Sequence, residues 1–226
     1  MKIRPTVVAS LAVVAALTMG AAPSTAAPSA PTARTVAATA PPTVRVVVRP
    51  VTTLHKASPG FAVANEPDST IDCSFADPSA GGVDPNIESC SPSAAYVPAC
   101  WKAAAAGYAL CLRDLSVKKL ARIPLSSTFA STAPISATKR SPLLLVLLDG
   151  TRCTLRIGGA GGTYPGHPNL YTSYYCNHHG VVWAGFTAPH SGVVEAAASW
   201  TVRTADGNGP LVVRHVKKAF FVGTRG

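Results

Sequence analysis

Charge is scarce in this chain, and negative charge is scarcest. Asp, Glu, Lys and Arg make up 13% of its 226 residues, with 10 acids against 20 Lys and Arg. Beyond Trp101 the acids are Asp114, Asp149, Glu195 and Asp206. Two-carboxylate glycoside hydrolysis needs converging acids, and the sequence offers no recognisable pair. Asp149 itself falls in a turn dipeptide, Asp149-Gly150. HExxH, paired CxxC, GxSxG, GxGxxG and phosphate-loop patterns are all missing, so the familiar zinc, hydrolase and nucleotide readings have no motif behind them. Aromatic residues are 7% of the chain, too sparse to interleave with its basic residues as a nucleic-acid surface requires. A membrane-spanning helix needs about 20 apolar residues. No run after the N-terminal one approaches that, and residues 142–148 have a strand's length.

The N-terminus carries an export pattern. Lys2 and Arg4 precede an apolar run over residues 7–19, followed by small residues and prolines. Residues 1–26 are therefore expected to be a signal peptide cut after Ser24-Thr25-Ala26. A cut after Ala27, or an uncleaved anchor, is the alternative. Residues 27–65 read as a flexible leader rich in Pro, Ala and Thr, because a stretch so poor in large apolar groups offsets little of its ordering entropy. Within it, Val44-Arg45-Val46-Val47-Val48-Arg49 has the alternative of joining a sheet as an edge strand that ends at Pro50.

Export gives the six cysteines a meaning. An even number outside the cytoplasm reads as a disulfide framework. Six cysteines allow about 15 pairings and sequence alone selects none of them; sequential pairing is the expectation, Cys73–Cys90, Cys100–Cys111 and Cys153–Cys176. Alternation supports the last of these. Cys153, Leu155 and Ile157 share one strand face, and Leu170, Tyr174 and Cys176 share a face on another.

Residues 66–226 are expected to form one disulfide-bonded β domain with an acidic N-terminal segment over residues 66–99. That segment holds Glu66, Asp68, Asp72, Asp77, Asp84 and Glu88. It either packs back on the basic body or is solvated separately. Residues 98–106 contain an alanine run and read as a short helix capped by Gly107. Strands are expected over residues 108–113, 118–125, 142–148, 152–157, 170–176, 181–186, 200–203 and 211–222. Asp149-Gly150 is a hairpin signal. The fold class is thus mainly β: a small antiparallel sandwich or barrel-like domain with one short helix, disulfide-tied.

Several pieces carry a resemblance. They are Cys111-Leu112-Arg113-Asp114, Asp149-Gly150-Thr151-Arg152-Cys153 with Leu155, Arg156, Gly158 and Gly159, then Tyr175-Cys176, Trp200-Thr201-Val202 and Ala219-Phe220-Phe221-Val222-Gly223. In that order, over residues 100–223, the chain resembles a group of uncharacterised small secreted proteins from mycobacteria and related actinobacteria. The resemblance implies export and a disulfide-tied β domain, and implies no activity.

Candidate chemistry is thin. His178 and His179 beside Cys176, with His167, His190 and His215, invite a metal reading, but adjacent histidines in a turn usually face water, and a disulfide-bonded Cys176 does not ligate. Ser191 beside His190 lacks an orienting carboxylate in its motif. The glycine-rich residues 158–169 fit no phosphate loop and read as a strand connection. Tyr171 and Tyr175, placed on the face opposite Tyr174, are candidates for stacking on a sugar.

The basic residues are the stronger signal. Arg152 and Arg156 point the same way on one strand, and Arg113 and Lys118 accompany them, with Lys119, Arg122, Arg214, Lys217 and Lys218 on or near other strands. A cationic surface attracts anions at long range. The expected function is a secreted, non-catalytic, envelope-associated or extracellular binding protein with a basic surface, using Arg152, Arg156, Arg113 and Lys118. Its expected partner is an anionic cell-wall polymer or a secreted protein, with nucleic acid disfavoured and no cofactor or metal. An inhibitor of secreted proteases and a hydrolase with an unrecognised site are the alternatives.

Overall fold

The computed structural model describes residues 40–91, 97–158, 161–186, 189–195 and 197–226. The expected signal peptide and the leader as far as residue 39 lie outside the described residues. In chain order the strands are β1 (Val44–Thr52), β2 (Ala62–Asn65), β3 (Asp72–Pro78), β4 (Glu88–Ser91), β5 (Val97–Lys102), β6 (Tyr108–Asp114) and β7 (Lys119–Pro124). They continue with β8 (Leu144–Leu147), β9 (Arg152–Leu155), β10 (Thr163–Tyr164), β11 (His167–Cys176), β12 (Val181–Gly185), β13 (Thr201–Ala205) and β14 (Val212–Arg225). A 3₁₀ turn covers Pro189–Gly192.

The C-terminal half closes into a six-stranded antiparallel barrel in the order β8-β9-β11-β12-β13-β14. Closure comes from β14, whose first residues pair with β13 and whose middle pairs with β8. The expected Asp149-Gly150 hairpin joins β8 to β9. Gly150 takes φ 88°, and Asp149 Oδ1 accepts the Thr151 N–H at 2.9 Å. Alternation places Cys153, Leu155, Leu145, Leu147, Tyr174 and Val182 inside, all nearly or fully inaccessible. Tyr174 buries its ring and donates its hydroxyl to the Pro142 carbonyl at 2.9 Å, so the polar tip is not orphaned.

The N-terminal half forms a second sheet in the order β2-β7-β6-β5-β4-β3. Its ends approach each other, because Ile71 bridges in parallel to Leu125 and the Ala130 N–H reaches the Cys73 carbonyl at 3.0 Å. The central strands β5, β6 and β7 are therefore buried on both faces. Leu110, Leu112, Leu120 and Trp101 join the core shared with the barrel. Ala109, Cys111, Ala121 and Ile123 point the other way into a small core around Cys73, Cys90 and Cys100. Two-sided burial explains why these strands read as almost continuous apolar runs.

All three expected disulfides form: Cys73–Cys90, Cys100–Cys111 and Cys153–Cys176. Two of them link directly opposed residues on neighbouring strands, Cys100 with Cys111 and Cys153 with Cys176.

Two expectations are corrected. Residues 44–65 are not part of a flexible leader: β1 runs parallel to β14 from Val44↔Lys218 to Thr52↔Arg225, and β2 runs parallel to β7. The cause is the length of β14. Its pairing with β13 ends at Thr201↔His215, so the rest of that edge offers unpaired backbone groups. The valine-rich run satisfies them, and Pro50 sits at the irregularity between Val48 and Val51 instead of ending the strand. The helix expected over residues 98–106 is also absent. Residues 97–102 form β5, with Ala99 and Trp101 in the shared core and Cys100 bonded to Cys111. A short alanine run rarely nucleates a helix unaided, and here tertiary burial overrides its propensity.

The acidic segment is built into the second sheet. Glu66 pairs with Arg113, Asp84 Oδ2 accepts the Thr224 N–H at 2.7 Å, and Asp72 accepts from Ser74 and Ser127. Those serine bonds hold the Asp72 carboxyl below its ordinary value, with Ser127 contributing most.

Candidate functional site

The barrel register decides which basic residues act together. Arg152 on β9 stands opposite Val146 on β8, and Val146 stands opposite Lys218 on β14. Directly opposed residues share a face, so Arg152 and Lys218 flank Val146 in one cross-strand row. Val44 of β1 extends the row past Lys218. Arg152, Lys218 and Val44 are exposed and Val146 is half-buried, so the row lies on the outer wall. Strands spaced at about 4.8 Å put the two cations about 10 Å apart along it.

The other three selected cations behave differently. Arg156 is half-buried and folds over its own neighbourhood: Nε donates to the Thr172 carbonyl and Nη1 to the Gly158 carbonyl, each at 2.8 Å. It braces the connection leaving β9 and does not extend a cationic pair with Arg152. Arg113 makes a two-nitrogen pair with Glu66, which neutralises it. Arg113 and Arg152 nevertheless line one groove of about 530 Å³, together with Asp114, Tyr175 and Asn177. Asp114 Oδ1 accepts the Ser116 N–H and hydroxyl, each at 2.7 Å, and with Arg113 paired to Glu66, Arg152 is the groove cation without a described ion-pair partner. Lys118 sits apart, exposed in the turn between β6 and β7 at φ 52°.

Reading β9 alone could not reveal Lys218 as the partner of Arg152. The sequence separates them by most of the barrel, and the pairing of β14 with β8 is what joins them.

Among the described residues the histidines do not converge. His179 Nε2 lies 2.9 Å from Asp149 Oδ2, and Arg214 Nη1 lies 3.4 Å from the same oxygen. The Thr151 backbone bond, and to a lesser degree His179, holds the Asp149 carboxyl below its ordinary value. This pair is about one-third exposed, and among the described residues no hydroxyl or thiol meets the imidazole. His167 stacks on Tyr164 at 5.4 Å, and His215 Nδ1 lies 3.0 Å from the Ser199 hydroxyl. The side chain of His190 lies outside the described residues, and Ser191 donates to the Ser141 hydroxyl at 3.1 Å. Among the described residues, no three His, Cys, Asp or Glu side chains come together as a metal site.

The tyrosine pair is corrected. A bulge between Thr172 and Tyr174 shifts the alternation of β11. Tyr174 then opposes Val182 and Tyr171 opposes Ala184, two residues along the same face. Tyr171 therefore shares a face with Tyr174, where it stacks on Phe186 at 5.1 Å, while Tyr175 points outward with 53% exposure. The two rings do not form one platform.

Fold and site together define a disulfide-tied β protein with a closed barrel joined to a curled second sheet. No protein-family model matches the chain, and neither does any curated protein or solved structure. Three disulfides are consistent with an extracellular setting, where such bonds persist. Among the described residues no helix is long and apolar enough to cross a membrane.

Proposed function

We propose that the protein is exported and acts without catalysis as an envelope-associated or extracellular binding protein, whose partner is an anionic cell-wall polymer. The observation that carries this reading is the alignment of Arg152 and Lys218 across Val146 on the outer wall of the barrel. Two exposed cations in one row suit an extended chain of repeating negative charge better than a compact ligand. The formal net charge of +10 favours approach of such a polymer from a distance. The export pattern and the resemblance to secreted actinobacterial proteins support the compartment.

The test is co-sedimentation of the oxidised protein with a purified wall fraction at low and high salt. Binding is expected at low salt, with loss at high salt and in Arg152→Glu/Lys218→Glu. Binding that ignores both salt and these substitutions would sink the proposal. Capture of a secreted protease in its place would favour the inhibitor reading.

A further inference from the structure

A cleft of about 500 Å³ opens where the turn after β1 meets β5 and the end of β14. Its chemistry differs from that of the outer row. Arg49 reaches it from β1, His55 from the following turn and Lys102 from the end of β5. Among the described residues none of these three has an ion-pair partner. Two carboxylates lie in the cleft: Asp84, whose Oδ2 is already held by the Thr224 N–H at 2.7 Å, and the α-carboxylate of Gly226. Asn86 adds donors: its Oδ1 accepts from the Ser131 hydroxyl at 2.8 Å, which turns the amide NH₂ toward other partners. Donor-bearing side chains therefore outnumber carboxylates in the cleft: Arg49, His55, Lys102 and Asn86 against Asp84 and Gly226.

The walls are fixed before anything binds. Trp101 is 3% exposed and borders the cleft from the shared core, anchored by its indole N–H to Thr224 Oγ1 at 3.2 Å. His55 is held in the left-handed region at φ 59°, and its carbonyl accepts the Ala104 N–H at 3.0 Å, which ties the β1 turn to the second sheet. Asn86 also takes φ 59°, and its N–H donates to the Thr132 carbonyl at 3.0 Å. Non-glycine residues in this region are uncommon, and backbone strain tends to gather at functional positions.

We infer that this cleft binds a free sugar phosphate of monosaccharide size. Donors arriving from three separate elements suit the three terminal oxygens of a phosphomonoester better than the planar pair of a carboxylate. The volume falls within the usual range for small-molecule sites and far exceeds inorganic phosphate alone. A sugar ring fills the remainder. This site is separate from the Arg152–Lys218 row and stands or falls without it.

The experiment is an NMR titration of the full oxidised chain with glucose 6-phosphate, glucose and glucuronate, following the indole N–H of Trp101 and the amide of Thr224. Glucose 6-phosphate is expected to shift both saturably, with glucuronate weaker and glucose inert. Arg49→Gln and Lys102→Gln are each expected to weaken binding by at least about tenfold while their spectra otherwise overlay the wild type. Arg152→Glu/Lys218→Glu is expected to leave the titration unchanged. Absence of a saturable shift by about 10 mM, well above useful affinity for such a site, overturns the inference. Equal binding of glucose or glucuronate, or undiminished affinity in both glutamine variants, overturns it as well.

Discussion

Cys153 and Cys176 face each other across the β9–β11 pair, with their Cα atoms 3.9 Å apart. Their disulfide ties two walls of the barrel close to the hairpin that holds His179. Both cysteines belong to, or pack against, the main core.

This bond closes a loop with a sequence separation of 23, and constraining such a loop in the unfolded chain contributes about 3 kcal/mol. Cys153→Ala/Cys176→Ala is therefore expected to lower the free energy of unfolding by about that amount. Urea denaturation followed by circular dichroism measures it. A loss of less than about 1 kcal/mol would mean that the bridge constrains the unfolded chain little.

Glu88 is fully buried, and burial pushes its carboxyl above the ordinary value of 4.5. Oε1 accepts the Thr132 hydroxyl at 2.8 Å, while Oε2 has no hydrogen-bond partner among the described residues. Its folded-state value lies above its unfolded one. The protonated form is thus favoured on folding, and Glu88's contribution is fully present below 4.5 and lost as pH rises through the elevated value. Glu88→Gln is expected to match the wild type near pH 4 and to exceed it by about 1 kcal/mol at pH 7. Paired thermal melts across that range read the crossover. A variant less stable at pH 7 would show that the charge is compensated.

Gly180 closes the β11–β12 hairpin at φ 68°, and a Cβ built there would lie 2.2 Å from the Ala205 carbonyl oxygen. Neither the conformation nor the space admits a side chain. Gly180→Ala is expected to cost at least about 2 kcal/mol by the same urea assay. A neutral outcome would mean that β13 shifts freely, against its pairing of Ala205 with Val181.

Much of the barrel was legible because its strands announce themselves locally. Asp149-Gly150 marks one hairpin, and the alternation of Arg152 to Leu155 separates an inner from an outer face. Of the disulfides, strand alternation supported Cys153–Cys176; the other two pairs form as sequence order suggested, which sequence alone does not select. The strands that sequence misses or leaves as an alternative are those whose reason lies elsewhere in the chain. β1 forms because β14 outruns β13, and β5 forms because Ala99 and Trp101 have a core to enter. The site followed the same division. Arg152 was visible on its strand, but the salt bridge that neutralises Arg113 and the carbonyls that occupy Arg156 depend on long-range packing. Tyr171 was misplaced by a single bulge, which period-two reasoning does not detect.

The Arg152–Lys218 row is the central claim, and an equilibrium binding isotherm with soluble poly(glycerol phosphate) tests it most directly. The wild type is expected to bind with an affinity that falls steeply with salt, since exposed charges are screened over about 10 Å at 0.1 M. Arg152→Glu/Lys218→Glu is expected to lose at least about tenfold at low salt. Lys119→Glu/Arg203→Glu, which changes net charge equally at exposed positions off the row, is expected to lose far less. Equal losses in the two double variants would reduce the effect to overall charge and contradict a site built on that row.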